Sequence, residues 1–172
     1  MQAPPDRVEE AATLSALLAL DILDTEPEIE FDALVRAASI ICDAPISLIT
    51  LIDADRQWFK ANVGLPSVSE TPRNLSFCAY AVLEDGLFEV NDASSDARFQ
   101  DNPLVTGEPD IKFYAGAPLP LLGGRRTGTL CVFDRKPRKL TTRQRESLLL
   151  LSKAASQALE GRAALQKQTE TS

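Results

Sequence analysis

One stretch of the chain, residues 98–119, combines two kinds of sequence and constrains the fold more than any other segment. Two prolines and a glycine lie between residues 101 and 110, which is typical of turns. Residues 111–119 then have the composition of a strand, interrupted by Gly116 and Pro118, which are unusual inside a central strand. Because loops that enter a sheet in this way commonly cover a pocket, the sequence predicts a pocket beneath this loop.

Hydrophobic periodicity assigns the other regular elements. Residues 46–53 are nearly all β-branched or Leu, with apolar side chains on both faces, and this predicts a central strand covered on each side. The alternating residues 57–63 follow after a short turn, so the two strands predict a hairpin. The remaining predicted elements are helices at 8–20, 76–83 and 142–165, a further helix that follows the turn at residues 24–27 and ends at about residue 42, and strands at 87–90 and 126–134.

Hairpins dominate this order of elements. The predicted fold class is therefore α+β, with a mainly antiparallel sheet and helices packed on it. Alternation in residues 57–63 places Phe59 on one face of its strand and Trp58 with Lys60 on the other, more polar face. Trp58 is expected to cover sheet surface there.

Two pairs of residues have the spacing of a helix capping box. Thr25 with Glu28 predicts the start of the second helix, and Thr141 with Gln144 predicts the start of the last one.

Composition excludes several classes of function. The 172 residues carry a net charge of -7, and so acidic a chain lacks the basic face that nucleic acid or anionic lipid requires. The chain has no histidine, which removes Ser-His-Asp and Cys-His catalysis, His-ligated haem and the common zinc sites. We therefore expect no catalytic residue, no metal, and no nucleic-acid or membrane partner.

The cysteines bear on the cellular compartment. Cys42, Cys78 and Cys131 are far apart in sequence, which is typical of free thiols in a reducing environment. The N-terminus lacks the basic patch and apolar run of a signal peptide, and no apolar run approaches the roughly 20 residues of a membrane span. We expect a cytoplasmic protein.

Four basic residues are candidates for binding an anionic ligand. They are Arg56, Arg73, Arg98 and Lys112, and the alternative for each is pairing with acidic residues at the surface. Arg98 and Lys112 are the better candidates because they flank the loop that covers the predicted pocket.

Five further residues are candidates for lining that pocket. Asp92, Asn102 and Tyr114 lie near the ends of predicted strands and loops, and Asn102 is also expected to hydrogen-bond the loop backbone before its proline. Phe77 and Tyr114 could line the pocket or belong to the core. Cys78 could be a redox-active or adduct-forming thiol beside the pocket, or a small core residue.

Five segments occur in an order that resembles a known family. They are LDTEPEIEFDALVRAA, ISLITLIDADRQWFKANVGL, TPRNLSFCAYAV, DNPLVTGEPDIKFYAGAPL and GTLCVFDRKPRKLT. Together they resemble the GAF domain family, in the form found ahead of bacterial histidine kinases and diguanylate cyclases. The resemblance implies one domain over residues 1–172, with its core at about 23–141 and flanking helices at about 8–20 and 142–165. It also implies a five- or six-stranded antiparallel sheet with a pocket under the loops.

Two positions depart from the motifs of that group. Tyr80 stands where the helix usually reads FCAHAI, and Asp110 where the loop usually reads GEPHI, so any role of an imidazole is absent. Bilin-binding relatives attach their chromophore at a Cys followed by His, and this chain has no such pair. The characteristic residues of cyclic-nucleotide-binding relatives are also missing. We expect no haem, bilin or metal, and an unknown small molecule as the ligand of any occupied pocket.

The resemblance implies a non-catalytic sensory or regulatory module that relays a signal through its terminal helices to an output domain or partner protein. One alternative is a structural dimerisation module with a degenerate pocket. Another is a thiol-based redox enzyme similar to the GAF-fold free methionine sulfoxide reductases, with Cys78 and Cys131 as the reactive pair. The motifs around these cysteines do not match that group, and two buried sulfurs would argue against it.

The last helix carries two apolar stripes, and the sheet requires only one of them. The other predicts a homodimer in which the first and last helices of two chains form a four-helix bundle. The alternative is a monomer in which the first helix covers the second stripe. The predicted interface residues are Leu14, Leu17, Leu148, Leu151, Ala155 and Ala158.

Overall fold

A computed structural model describes residues 3–171, apart from the side chains of Leu122, Glu170 and Thr171. The helices are α1 (Glu10–Ala19), α2 (Ile29–Cys42), α3 (Phe77–Ala81), α4 (Pro103–Thr106) and α5 (Thr142–Thr171). The strands are β1 (Ile46–Ile52), β2 (Arg56–Val63), β3 (Glu70–Pro72), β4 (Phe88–Val90), β5 (Phe113–Pro120) and β6 (Arg126–Asp134).

The strands form one six-stranded sheet in the order β3-β2-β1-β6-β5-β4, and every neighbouring pair is antiparallel. The predicted α+β class and antiparallel sheet are confirmed, and β1 is central as its apolar faces predict. One face of the sheet, the helix side, is covered by α1, α2 and α5. The other face, the loop side, is covered by α3, α4 and the loops around them.

The alternation of strand residues separates the two cores. Along β1, Ile49 and Leu51 point to the helix side, whereas Leu48 and Ile52 point to the loop side. On the helix side α2 contributes Phe31, Val35 and Ala38, whose spacing of four and three residues places them on one helical face.

One predicted capping box is confirmed and the other is wrong. Thr141 Oγ1 accepts a hydrogen bond from the Gln144 amide at 3.1 Å, and Gln144 Oε1 accepts one from the Thr141 amide at 2.9 Å. Helix α2 instead begins after Glu28, whose side chain does not cap it. The Thr25 hydroxyl donates to the Ile22 carbonyl at 2.5 Å, and its oxygen accepts a hydrogen bond from Lys60 Nζ at 2.9 Å instead of from a backbone amide of α2.

A β-bulge in β2 corrects the predicted faces of the hairpin. The pairing with β1 skips Lys60, so Phe59 and Ala61 lie on opposite sides of the sheet although they are two residues apart. Trp58 lies with Ala61 in the helix-side core and is buried, instead of covering a polar face. Strict alternation cannot detect such an extra residue.

The loops contain two short elements that the sequence analysis assigned as irregular. Strand β3 lies between the predicted strand 57–63 and the predicted helix 76–83, where no element was assigned, and α4 lies within the turn-rich half of the stretch 98–119. Asn102 caps α4 by accepting the Leu104 amide at 2.9 Å, and its side-chain amide donates to the Leu75 carbonyl at 3.1 Å. This second bond ties the loop down next to α3.

Candidate functional site

Aromatic side chains fill the space on the loop side where the sequence predicts a pocket. Phe77 stacks on Phe99 with ring centroids 4.1 Å apart, and it contacts Tyr114 at 5.3 Å. Tyr114 in turn lies 4.9 Å from Phe133. We call this buried group the aromatic cluster; its members are Phe77, Phe88, Phe99, Tyr114 and Phe133.

The local sequence of α3 explains why its side chains enter the cluster. Ser76 caps the helix, since its hydroxyl oxygen accepts the Ala79 amide at 3.0 Å and its hydroxyl donates to Gln57 Oε1 at 2.5 Å. These two bonds tie the start of α3 to β2. Phe77 and Cys78 then point toward the sheet and are fully buried.

Gly116 makes room for the Tyr114 ring. The two residues point to the same side of β5, and a Cβ atom at position 116 would lie 2.1 Å from Tyr114 Oη and 2.6 Å from its Cζ. The glycine that appeared unusual in the predicted strand therefore allows a fully buried tyrosine to lie flat along its own strand.

Two thiols and three hydroxyl groups meet inside the cluster. Cys78 Sγ lies 3.6 Å from Cys131 Sγ, and it accepts hydrogen bonds from Thr129 Oγ1 at 3.0 Å and from Tyr114 Oη at 3.1 Å. Thr50 and Thr129 share a hydrogen bond of 3.0 Å. We call these five residues the thiol nest; none of their side chains is left without a polar partner.

The nest shifts the pKa values of its members in opposite directions. Burial acts to raise the pKa of Cys78, but hydrogen bonds from Cys131, Thr129, Thr50 and Tyr114 lower it, to about 7. Burial raises the pKa of Cys131 well above its ordinary value, and the neighbouring Cys78 raises it further. Of the two thiols, Cys78 is therefore the one that ionises first.

A small apolar cavity remains beside the cluster. Its volume is about 80 Å³, whereas pockets for drug-sized ligands measure roughly 300–1,000 Å³. Its walls come from β1, β2, β3 and the loop that carries α4. They are formed by Leu48, Gln57, Phe59, Leu65, Val68, Thr71, Leu104, Pro109, Ile111 and Phe133.

The structure brings only part of the predicted ligand-binding set together. Phe77, Cys78 and Tyr114 are in mutual contact inside the buried cluster. Asn102 caps α4, which is the structural role that the sequence allowed for it. Asp92 caps a short turn by accepting the Ser94 amide at 3.1 Å and does not reach the cluster.

The basic candidates are all paired with carboxylates. Arg98 bonds Asp96 at 2.7 Å, and its guanidinium lies 4.9 Å from the centroid of the Phe88 ring. Lys112 bonds Asp110 and the carbonyl of Val105, both at 2.9 Å. The other two candidates are also bound, Arg56 to Asp24, Asp53 and Glu70, and Arg73 to Glu10 and Asp6.

A polar junction on the helix side was missed by the sequence analysis. The Lys60 side chain is 0% exposed, and its ammonium donates to Glu28 Oε2 at 2.5 Å, the Glu26 carbonyl at 2.6 Å and Thr25 Oγ1 at 2.9 Å. Arg162 of α5 reaches the same Glu28 oxygen at 2.7 Å. We call this contact of β2, α5 and the segment before α2 the Glu28 junction. No sequence signal revealed it, because the bulge that turns Lys60 inward is visible only in the pairing of β1 with β2.

Electrostatics favour the charged form of Glu28. Burial acts to raise its pKa, but the bonds from Lys60 and Arg162 outweigh burial and lower the pKa from its ordinary value. Arg162 also donates to the Asp21 carbonyl at 3.0 Å. The middle of α5 is thus fixed to the segment between α1 and α2.

A second ionic group fixes the N-terminal segment. Glu10 bonds Arg73 at 2.8 Å and Arg7 at 2.9 Å, and these two guanidinium groups hold the pKa of Glu10 far below its usual range. Arg7 is itself buried and donates to the Ile52 and Arg126 carbonyls at 2.9 and 3.0 Å. The start of α1 is therefore attached to the ends of β1 and β6.

The residues of the predicted dimer interface fall into two groups. Leu17, Leu148 and Ala155 are fully buried in the helix-side core of their own chain. Leu14, Leu151 and Ala158 are half-buried, and Leu150 and Leu165 are exposed. The heptad spacing of the predicted α5 residues does not distinguish those that pack on the sheet from those that reach the surface.

Neither a membrane-spanning helix nor a group of metal ligands is found in the part of the chain that the structure describes. Between residues 3 and 171, no helix combines the length and apolar character needed to cross a bilayer. Over the same range, no three His, Cys, Asp or Glu side chains are grouped in a way that could hold a metal ion.

Comparisons with known proteins agree with this architecture. A cyclic di-GMP phosphodiesterase of Pseudomonas aeruginosa is 46% identical over 138 residues, which are 80% of this chain and only 23% of that protein. The GAF domain of an Acinetobacter phosphoenolpyruvate-protein phosphotransferase has the same fold, with a TM-score of 0.65 at 18% identity over 91% of this chain and 96% of that one. The blue-light absorbing form of the Thermosynechococcus elongatus PixJ GAF domain matches with a TM-score of 0.64 at 14% identity over 95% and 96%. The GAF domain model matches residues 26–159, and the chain belongs to the GAF domain family.

Proposed function

We propose that this chain is a non-catalytic sensory or regulatory GAF domain of bacterial signal transduction, which relays changes on its loop side through α1 and α5 to an output domain or partner. The observation that carries the proposal is α5, a helix of 30 residues that packs on the sheet with one face and is held at the Glu28 junction. A helix attached in this way moves when the sheet beneath it moves.

The central strands supply the route between the two sides. Neighbouring residues of β6, such as Cys131 and Val132, point to the loop side and the helix side respectively. Helix α3 contacts β5 and β6 from one side, and α5 contacts the same two strands from the other. A displacement of α3 is therefore transmitted to α5 through two strands.

The output that this domain regulates is proposed to be an enzyme of cyclic di-GMP turnover. The support is the similarity to one part of a cyclic di-GMP phosphodiesterase, of which this chain spans 23%. The output would lie on the same longer protein or on a partner chain. The test is to measure cyclic di-GMP hydrolysis by the P. aeruginosa protein with its own GAF segment and with this domain in its place. Equal activity of the chimaera with and without the Glu28→Gln change, which loosens α5, would contradict the relay.

The input is proposed to be a small molecule that enlarges the loop-side cavity of about 80 Å³. A screen of nucleotides, small acids and tetrapyrroles by thermal shift tests this, since a ligand that binds only the folded state must raise the melting temperature. The matched control is Phe59→Trp, which places a larger side chain in the cavity wall and so reduces the cavity volume. A hit that binds this variant equally well binds elsewhere.

We also propose a homodimer through the outer stripe of α5, formed by Leu150, Leu151, Ala154, Ala158 and Leu165. These side chains are exposed or half-buried, and no charged residue interrupts the stripe. Light scattering at tens of micromolar should give a dimer that Leu151→Glu with Ala158→Glu dissociates. Lys153→Glu is the control, because it changes the net charge by the same amount at an exposed position outside the stripe, and it should leave the dimer intact. A monomeric wild type would refute the dimer.

A structural dimerisation module is the second candidate function, and one observation favours it. The aromatic cluster occupies the site where a ligand would lie, so the loop side can be a permanent core. A dimer that yields no hit in the thermal-shift screen would favour this alternative. The redox-enzyme alternative has less support, because Cys78 and Cys131 are both fully buried and present no thiolate to a substrate.

A further inference from the structure

We propose that Cys78 and Cys131 form a reversible disulfide inside the folded domain when a peroxide oxidises them. This chemistry goes beyond the sensory role proposed above and does not depend on it. Its basis is the position of the two sulfur atoms, 3.6 Å apart on two different elements and enclosed by the hydroxyl groups of the thiol nest.

The geometry requires only a small movement. The sulfurs of a disulfide are about 2.05 Å apart, so the two must approach by roughly 1.5 Å. Cys131 lies on the central strand β6 and is fixed by the sheet. Cys78 lies on α3, a helix of five residues that can shift toward the strand. Cys42 belongs to the helix-side core, and the sheet separates it from the other two thiols.

The thiol nest prepares one sulfur to react first. Thr129 Oγ1 and Tyr114 Oη both donate hydrogen bonds to Cys78 Sγ, and such bonds stabilise a thiolate. The Cys131 thiol instead donates a hydrogen bond to the Leu48 carbonyl at 3.6 Å, which stabilises its neutral form. The two sulfurs therefore have separate roles, with Cys78 as the nucleophile and Cys131 as the resolving thiol.

The reaction balances with one peroxide molecule. The Cys78 thiolate attacks one peroxide oxygen, an S–O bond forms, the O–O bond breaks, and hydroxide leaves and is protonated to water. The Cys131 sulfur then attacks the sulfenic acid of Cys78, an S–S bond forms, the S–O bond breaks, and a second water leaves with the Cys131 proton. Two thiols lose two electrons in total, and hydrogen peroxide is reduced to two waters.

Burial sets the rate of this reaction. Both sulfurs have no exposed surface, so peroxide reaches Cys78 only when α3 and its neighbouring loop open transiently. Oxidation should therefore be slower than that of an exposed thiol and should respond to sustained oxidant. Once formed, the bond closes a loop between residues 53 positions apart and ties α3 to β6.

The test is to treat the folded protein with hydrogen peroxide and measure its intact mass. The protein is then unfolded, the remaining thiols are alkylated, and the peptides are analysed. We expect a mass loss of about 2 Da, a peptide that links Cys78 to Cys131, and reversal by dithiothreitol. The melting temperature should rise on oxidation, because the cross-link restricts the unfolded chain. Glutathione in a parallel vial without the protein shows that the oxidant is active.

Three variants complete the test. Cys42→Ala should still lose about 2 Da, whereas Cys78→Ala and Cys131→Ala should not. Circular dichroism establishes that each variant is folded, and Cys78→Ser serves if the alanine variant is not. The proposal is overturned if both thiols stay alkylatable while glutathione is fully oxidised. It is equally overturned if the link involves Cys42 or joins two chains.

Discussion

The two sides of the sheet differ in the side chains that fill their cores. The helix-side core is largely aliphatic, and the Glu28 junction at its edge holds the buried ammonium of Lys60, which has carboxylate, hydroxyl and carbonyl partners. The loop-side core is aromatic and contains the thiol nest at its centre. The helix side holds charges at fixed positions, whereas the loop side holds polarizable groups whose chemistry can change.

This difference agrees with the proposed function, in which the loop side receives the input and the helix side relays it to α5. Charged junctions resist small displacements, because moving a buried ammonium away from its partners leaves it unsatisfied. Aromatic and sulfur contacts are individually weaker and tolerate rearrangement. In the proposed relay, a change on the loop side occurs without unfolding, and the junction on the helix side passes it to α5 as a movement of the whole helix.

The largest expected effect concerns one aromatic residue on each side. Phe77→Ala and Phe31→Ala should each lower the unfolding free energy by about 3–5 kcal/mol, since both rings are fully buried. Urea unfolding measures the loss. The variants should then differ, because the Phe77 cavity would be lined largely by the rings of Phe99, Tyr114 and Phe133. At the other site, the charged Lys60 Nζ lies 5.6 Å from the Phe31 ring centroid.

Benzene should therefore raise the melting temperature of Phe77→Ala but not that of Phe31→Ala, since a cavity beside an ammonium admits water. Equal responses of the two variants would show that the two sides do not differ in this way. A small loss of stability in both would mean that the surrounding side chains collapse into the vacated space.

The second prediction tests the packing of Tyr114 against its own strand. Gly116→Val should lower the unfolding free energy by about 2–3 kcal/mol, because the new Cβ would meet the Tyr114 ring, which contacts from α3, β4 and β6 hold in place. Gly86→Val is the control, since a Cβ there has no neighbour within 4 Å. Equal melting temperatures of the two variants would show that Tyr114 moves freely and that the cluster is loosely packed.

The sequence predicts most of the fold because the sheet depends on local patterns. The strand at residues 46–53, the hairpin and the Thr141 capping box all follow from periodicity or spacing within a few residues. Strand β3 and helix α4 were missed because they have three and four residues and leave no periodic pattern. Their position depends on backbone pairing with distant segments.

The candidate site was predictable only in part, and for a related reason. The sequence singled out Phe77, Cys78 and Tyr114, which do meet, but nothing in it shows that they fill the space of the predicted pocket. The Glu28 junction joins residues 28, 60 and 162, and only the folded chain brings them together. Lys60 appeared to be on a polar face because the bulge that turns it inward has no signature in the alternation.

The third prediction tests the helix-side junction. Glu28→Gln should lower the unfolding free energy by about 1–2 kcal/mol near neutral pH, because Lys60 loses a charged partner but keeps two neutral ones. The exposed Glu30 offers a matched control, and Glu30→Gln should change stability by less than about 0.5 kcal/mol. Equal effects of the two substitutions would show that the Glu28 junction does not hold α5 in place.

The same pair of proteins has a defined pH dependence. The pKa of Glu28 is lowered in the folded state, so its contribution is present above the unfolded pKa and is lost as the pH falls through the folded pKa. The stabilities of the wild type and Glu28→Gln should therefore converge in acid, below the ordinary pKa of a glutamate, about 4.3. If the stability difference between the two proteins stayed constant as the pH fell well below the ordinary pKa of a glutamate, the charge at Glu28 would not be what holds α5.

The smallest expected effect uses a glycine in the opposite setting from Gly116. Gly161 lies on the exposed surface of α5, and a Cβ there would have no neighbour within 4 Å. Gly161→Ala should therefore raise the unfolding free energy by about 0.5–1 kcal/mol, through the better helix propensity of alanine. Ala164→Gly, on the same helix and also exposed, should lower it by a similar amount.

Urea unfolding at low and high protein concentration distinguishes two contrary results for Gly161→Ala. A loss of stability only at high concentration would mean that a second chain approaches the α5 backbone at Gly161, which places that residue inside the dimer interface. A loss at every concentration would mean that the chain's own structure approaches Gly161, and the contrast between the open surface of α5 and the filled loop side would not hold.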